Sequence, residues 1–265
     1  SSSRIMGWIL PALFAGVVAI GVTVAIERWG GRIGGLIGTM PSTIVPATIG
    51  MAQMSQSGDA LSSAMYMTPV GMWINGIFLW TWMLPRRWPS RWTQSLPAIT
   101  LTSLCAWSIL AVVCIQGVQL LVDAGYRLDS ISLIATGGLL ITGIKVCTHA
   151  PPSPAGQRKV KLPTLVARGV LATIAIAVAI LLAERGSPLA AGVAAVFPAI
   201  FLTTMVSLWA SQGQAVQVGA VGPMILGCTS VSVFALFAAW SIPVWGAQVG
   251  CAVSWLGSVA VITLP

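Results

Sequence analysis

Hydrophobic positions fall in long unbroken runs, and the polar positions collect in the short gaps between them. The runs cover about 5–27, 33–55, 61–84, 96–121, 130–147, 164–183, 188–210, 215–240 and 243–264. Each is close to the ~20 residues that carry a helix across a bilayer. None alternates apolar and polar residues as a barrel strand would, so every run is expected to be a helix. The one clear loop is His149 to Lys161, with Pro151, Pro152 and Pro154 and the charges Arg158, Lys159 and Lys161. The expected fold is all-α: a polytopic transmembrane helical bundle of about nine spans.

Composition agrees with the pattern. Charged residues are 7% of the 265-residue chain and hydrophobic residues 57%, with a mean hydropathy of +0.93. A soluble domain has roughly 25% charged residues to cover its core. In lipid the outside of the bundle must be apolar as well. The formal net charge of +8 is spread over short loops, which is topogenic placement rather than a nucleic-acid-binding stripe. Cys105, Cys114, Cys147, Cys228 and Cys251 include no C-x-x-C pair, and they read as small packing residues. His149 is the only histidine, and no metal site can be assembled around it. The opening Ser1-Ser2-Ser3-Arg4 would suit the remnant of an organelle transit peptide.

The weakest run, 130–147, holds Thr136, Gly137, Gly138 and Thr142, and charge placement decides how it is read. If it spans, Arg4, Arg127 and Arg185 lie on the amino-terminal side. The other side then carries ten basic residues: Arg28, Arg32, Arg86, Arg87, Arg91, Lys145, Arg158, Lys159, Lys161 and Arg168. If it does not span, the split is seven against six. The positive-inside rule expects a bias, so nine spans are predicted, with the amino terminus opposite the basic loops. Trp88 and Trp92 beside the arginines fit an interfacial belt on the basic side.

The chain also repeats itself. AIERWGGRIGGLIGTMPSTIV from Ala25 aligns with LAERGSPLAAGVAAVFPAIFL from Leu182. Glu27 and Glu184 are 157 apart, as are Arg28 and Arg185, Gly35 and Gly192, and Pro41 and Pro198. Ser57-Gly58 resembles Gln212-Gly213, and Thr68-Pro69 resembles Gly222-Pro223 after a short loop deletion. The predicted organisation is a four-helix repeat over 1–125, a linking helix and basic loop over 126–163, and a second four-helix repeat over 164–265. One linking span turns the second copy over, giving the inverted repeats on which many secondary transporters are built.

Each half resembles the GlpM-like family of small bacterial four-helix membrane proteins. The residues that carry the likeness are Glu27, Arg28, Gly34, Gly35 and Met40-Pro41, and in the second copy Glu184, Arg185, Gly192 and Phe197-Pro198. In the first half it extends through Gly58-Asp59-Ala60-Leu61-Ser62-Ser63 to Leu84-Pro85-Arg86-Arg87. The second half lacks the acidic residue after Gly213 and the basic loop after the eighth run. The resemblance implies architecture: small units that pair, here fused. It also prompts a lesser reading, an accessory to lipid or polysaccharide export.

Candidate chemistry gathers in the second and seventh runs. Pro41 and Pro46, flanked by Ser42, Thr43 and Thr48, recur in theme as Pro198, Thr203 and Thr204. A proline inside a helix removes a donor and frees a carbonyl, which in lipid needs a partner or a cavity. Pro41, Ser42, Thr43, Thr48, Pro198, Thr203 and Thr204 are therefore expected to line a midplane solute site. The competing reading is kinked helices whose hydroxyls bond back to their own carbonyls. Asn75, Gln116 and Gln119 are the other polar residues inside runs, fit either for a pathway or for interhelical bonds. Glu27, Arg28, Glu184 and Arg185 are expected at helix ends, as interfacial anchors or as a gate on each face. No nucleophile–base pair, metal set or nucleotide loop is present. The chain reads as a non-enzyme without cofactor, in a bacterial or organelle inner membrane. The leading reading is a permease for a small neutral or weakly polar solute, its partners lipids and that solute. The alternative is a structural or assembly subunit among membrane-complex partners.

Overall fold

The computed structural model describes residues 2–29, 40–55, 57–149 and 161–263. The helices are α1 (Ser2–Trp29), α2 (Ile44–Met54), α3 (Gly58–Thr81), the single turn α4 (Leu84–Arg87), α5 (Leu96–Asp123), α6 (Leu128–His149), α7 (Leu162–Glu184), α8 (Pro188–Ala194), α9 (Ala199–Gln212) and α10 (Gln214–Ser258). A π-helical turn, Val259–Thr263, follows. Among the described residues no strand forms.

Among the described residues five segments are long and apolar enough to cross a membrane: Leu96–Asp123, Leu128–His149, Leu162–Glu184, Pro188–Ala210 and Val216–Ile262. The outer surface is apolar too. Leu101, Ile109, Val112, Val113 and Leu120 on α5 and Ile134, Ile141 and Ile144 on α6 are all exposed. So much exposed hydrocarbon suits lipid rather than water, and the protein is an integral membrane helical bundle.

Helix ends follow local sequence. Ser57 caps α3, its Oγ accepting from the Ala60 N–H at 3.1 Å, with Asp59 in the first turn, where a carboxylate meets the positive end of the helix dipole. Helices α5, α7 and α8 open with proline in the first turn, where no donor is lost.

Small residues set the packing, because in lipid close backbone approach replaces the hydrophobic drive. Gly16 on α1 lies against Thr173 and Gly169 on α7, and Gly169 lies against Ile20. Gly50 on α2 touches both Pro11 and Ile180. Advancing along α1 therefore retreats along α7, so the pair is antiparallel. Ser62 Oγ donates to the Ala239 carbonyl at 3.1 Å, and Gly76 sits against Ile225, so α3 and α10 are antiparallel as well. These two pairs form the most extensive helix contacts.

Helix α6 fills the groove beside them. Gly143 meets Leu226 and Gly222 meets Cys147, in antiparallel register with α10. The Ser132 hydroxyl donates to the Tyr66 carbonyl, and Gly76 meets Leu139, in parallel register with α3. The parallel run puts Arg86, Arg87 and Arg91 at the same end of the bundle as Lys145 and Lys161. Arg127 and Arg185 lie at the other end.

Helix α10 contains a reversal. Ser241 Oγ and Ser254 Oγ are 2.8 Å apart, whereas 13 residues of straight helix would separate them by about 20 Å. The chain turns at Gly246, whose φ of 77° is a left-handed value that glycine adopts without strain. The boundary between the eighth and ninth runs thus lies a few residues beyond the 240–243 gap read from sequence. Two serines and a glycine carbonyl, rather than a polar loop, fasten the turn.

Candidate functional site

The seventh run does not form one helix. Pro198 offers no N–H and disfavours helical backbone at Phe197, so α8 ends in tight turns. Val196 N–H reaches Val193 O at 3.2 Å and Phe197 N–H reaches Ala194 O at 3.1 Å. Regular bonding resumes with Leu202 N–H to Pro198 O at 2.8 Å.

The break exposes the Val196 carbonyl, and a side chain from another helix satisfies it. Asn75 on α3 donates its Nδ2–H to Val196 O at 2.7 Å. The Asn75 Oδ1 accepts from Trp107 Nε1–H on α5, also at 2.7 Å. Asn75 is fully buried. The Trp107 ring meets Phe197 edge-on at 5.2 Å. One amide thus ties α3, α5 and the broken segment together, through bonds to a backbone acceptor and an indole donor that would otherwise be orphaned.

A second polar cluster lies just past the break. Arg168 on α7, only 4% exposed, donates Nε–H to Thr203 Oγ1 at 3.0 Å and Nη2–H to Thr204 Oγ1 at 2.8 Å. Thr203 passes its own proton to Ala199 O at 2.8 Å, so its oxygen is free to accept. Guanidinium stays protonated at all working pH values. The sequence groups Arg168 with the basic loop and points to a neutral solute, with no fixed charge waiting inside the bundle. The structure corrects only the first of these, the position of Arg168. Arg168 is six residues past the start of α7, about 9 Å along the helix, and inside it. A charge inside an apolar run marks the position in sequence, but not the partners that turn it inward.

The residues expected from the first half are placed differently. Pro41 is buried; Ser42 and Thr43 are half-buried at the entry to α2. Thr48 is buried and donates to Ile44 O at 2.9 Å, the back-bonded arrangement. Among the described residues α2 packs chiefly on α1, α7 and α10, while α9 packs on α7, α10 and α5. No extended contact joins α2 to α9, so the two sets do not merge into one cluster. Glu184 is half-buried at the end of α7 and Arg185 is exposed beside it. Glu27 and Arg28 end α1 at the opposite end of the bundle, and their side chains lie outside the described residues. Gln116 and Gln119 are on the outer face of α5, with Gln119 donating to Asp123 at 2.9 Å.

A cleft of about 280 Å³ opens at the end of the bundle away from the basic loops. It is lined by Ala52, Ser55, Ser57, Gly58 and Leu61 and by Ile242, Pro243 and Ala247 near the α10 reversal. The five cysteines are all free, and among the described residues no group of three or more metal-ligating side chains forms. Comparison with protein families, with curated proteins and with solved structures found no match to this chain.

Proposed function

We propose that the protein is a membrane carrier for a small neutral or weakly polar solute. It would be built from two inverted four-helix halves joined by α6 and would work by alternating access. The observation that carries this reading is the antiparallel crossing of helices that the sequence register pairs. A twofold axis in the membrane plane relates antiparallel helices, and at the axis a residue meets its own counterpart. Gly16 and Thr173, which meet at the α1–α7 crossing, are 157 apart, the spacing of Glu27 and Glu184. The antiparallel pairing of Ser62 with Ala239 and of Gly76 with Ile225 also brings residues 154 apart, the spacing of Pro69 and Pro223, level with each other within the α3–α10 crossing, near 73–74 and 227–228.

Nine traverses follow from this plan: α1, the second run, α3, α5, α6, α7, the broken α8–α9, and the two limbs of α10. The likeness of each half to GlpM-like proteins belongs to the same proposal. The solute site would lie at the α8–α9 break, with Pro198, Thr203, Thr204, Arg168 and Asn75. Pro41, Ser42, Thr43 and Thr48 would be its counterpart in the first half. The membrane would be a bacterial or organelle inner membrane, with the amino terminus opposite the basic loops.

Uptake into proteoliposomes, screened over polyols, amides and other small uncharged solutes, tests the proposal. Saturable uptake of one class, lost in Arg168→Met, is expected. If no solute enters above empty vesicles and none raises the melting temperature, the carrier reading fails.

One observation favours a second reading, a subunit of a larger membrane complex. Gln116 is exposed among Val112, Val113 and Leu120 on α5, and an amide facing hydrocarbon is better covered by a partner helix. Stoichiometric co-purification of another membrane protein, abolished by Gln116→Leu, is the outcome that reading expects.

A further inference from the structure

The two ends of the bundle are closed differently, and the difference falls at equivalent positions. At the end away from the basic loops, Ala52 on α2 lines the open cleft. The residue 157 positions on is Trp209, on α9. It lies at the basic end, where α3 delivers Trp82. The two rings meet edge-to-face at 6.3 Å, and Phe78 also packs edge-on against Trp82 at 6.3 Å. Trp82 is fully buried. Where one half has a methyl group beside open space, the other has an indole sealed by a second indole.

The seal is not chemically satisfied. Among the described residues Trp82 Nε1–H has no acceptor. One turn before Trp209, Met205 receives the Gln217 Nε2–H at 3.1 Å, while the Oε1 of the fully buried Gln217 meets no donor among the described residues. A buried donor and a buried acceptor in one layer of the α3–α9–α10 seam disfavour the dry state. Admitting water there would hydrate both.

We infer that Trp82 and Trp209 form the gate of the basic end, and that the conformation described is closed at that end and open at the other. The inference rests on the carrier reading for its purpose, but the barrier itself is read without any solute. A membrane-impermeant maleimide is applied separately to each face of sealed vesicles bearing Met205→Cys or Ala52→Cys. The thiol of Ala52→Cys should label readily from the face opposite the basic loops. The thiol of Met205→Cys should be protected from both faces. Adding Trp209→Ala to Met205→Cys should raise its labelling rate from the basic face at least tenfold, with no change from the other face. Trp209→Phe, which keeps a ring, should leave that thiol protected. Trp82→Ala provides a second opening variant. Rapid labelling of Met205→Cys with both tryptophans intact overturns the gate, as does an unchanged rate in both alanine variants. Protection of Ala52→Cys from both faces overturns the assignment of the open end. Gated labelling without uptake of any solute would leave the barrier standing and remove the carrier.

Discussion

Gly16 packs against Thr173, the residue 157 positions further along the chain, where α1 and α7 cross in opposite directions. A Cβ on Gly16 would overlap the threonine hydroxyl and lie 2.8 Å from the Gly169 carbonyl, which is backbone and cannot step aside. Gly16→Val should lower stability by about 1–3 kcal/mol through overpacking. Gly21→Val, at a position with nothing within 4 Å, should change it far less. Melting in detergent measures both. Equal effects would mean that the crossing is not the close contact described.

The amide of Asn75 joins three elements, so its removal should cost more than one bond. Interhelical hydrogen bonds in membranes average ~0.6 kcal/mol, up to about 1.7. Asn75→Leu also strands the Val196 carbonyl and the Trp107 N–H, so a loss of about 2 kcal/mol is expected. Trp107→Phe keeps a ring against Phe197 and gives up one bond, so it should lose about half as much. A reversed order in melting temperature would contradict the geometry.

Arg168 offers a charge and a fork. Arg168→Lys retains the charge, but an ammonium cannot match the planar geometry that reaches Thr203 and Thr204 together. Solute uptake should therefore fall at least tenfold in Arg168→Lys and vanish in Arg168→Met. Thr204→Val, which removes one acceptor, should show an intermediate loss. Wild-type uptake in Arg168→Met would take the guanidinium out of the site.

Helix directions make a topological prediction. The α5 helix separates Trp92, 60% exposed, from Tyr126, 63% exposed. An impermeant thiol reagent should label Trp92→Cys from the face carrying the basic loops and Tyr126→Cys from the opposite face. Labelling of both from one face would remove α5 as a span.

Nearly all of the helical architecture is written locally. Charges are scarce, runs are near bilayer length, and prolines and glycines mark the ends. The 130–147 run is legible as a helix, and α6 forms over it, parallel to α3. Pro198 signals the break in the seventh run, because a missing donor acts within one turn. Arg168 shows the limit. In sequence it is a charge near a loop. Its partners Thr203 and Thr204 are 35 and 36 residues away, and only the packing of α7 against α9 turns it inward.

Local chemistry is therefore enough to establish a membrane bundle, the ends of its helices and its weak turns, since those depend on hydropathy and backbone bonding within a few residues. It could not reveal that Asn75 satisfies Val196, that Arg168 is buried, or that Trp82 closes on Trp209. Each of these follows from which helices become neighbours in the folded bundle. In lipid that choice is made by small residues and shape across distant parts of the chain, not by any pattern along it.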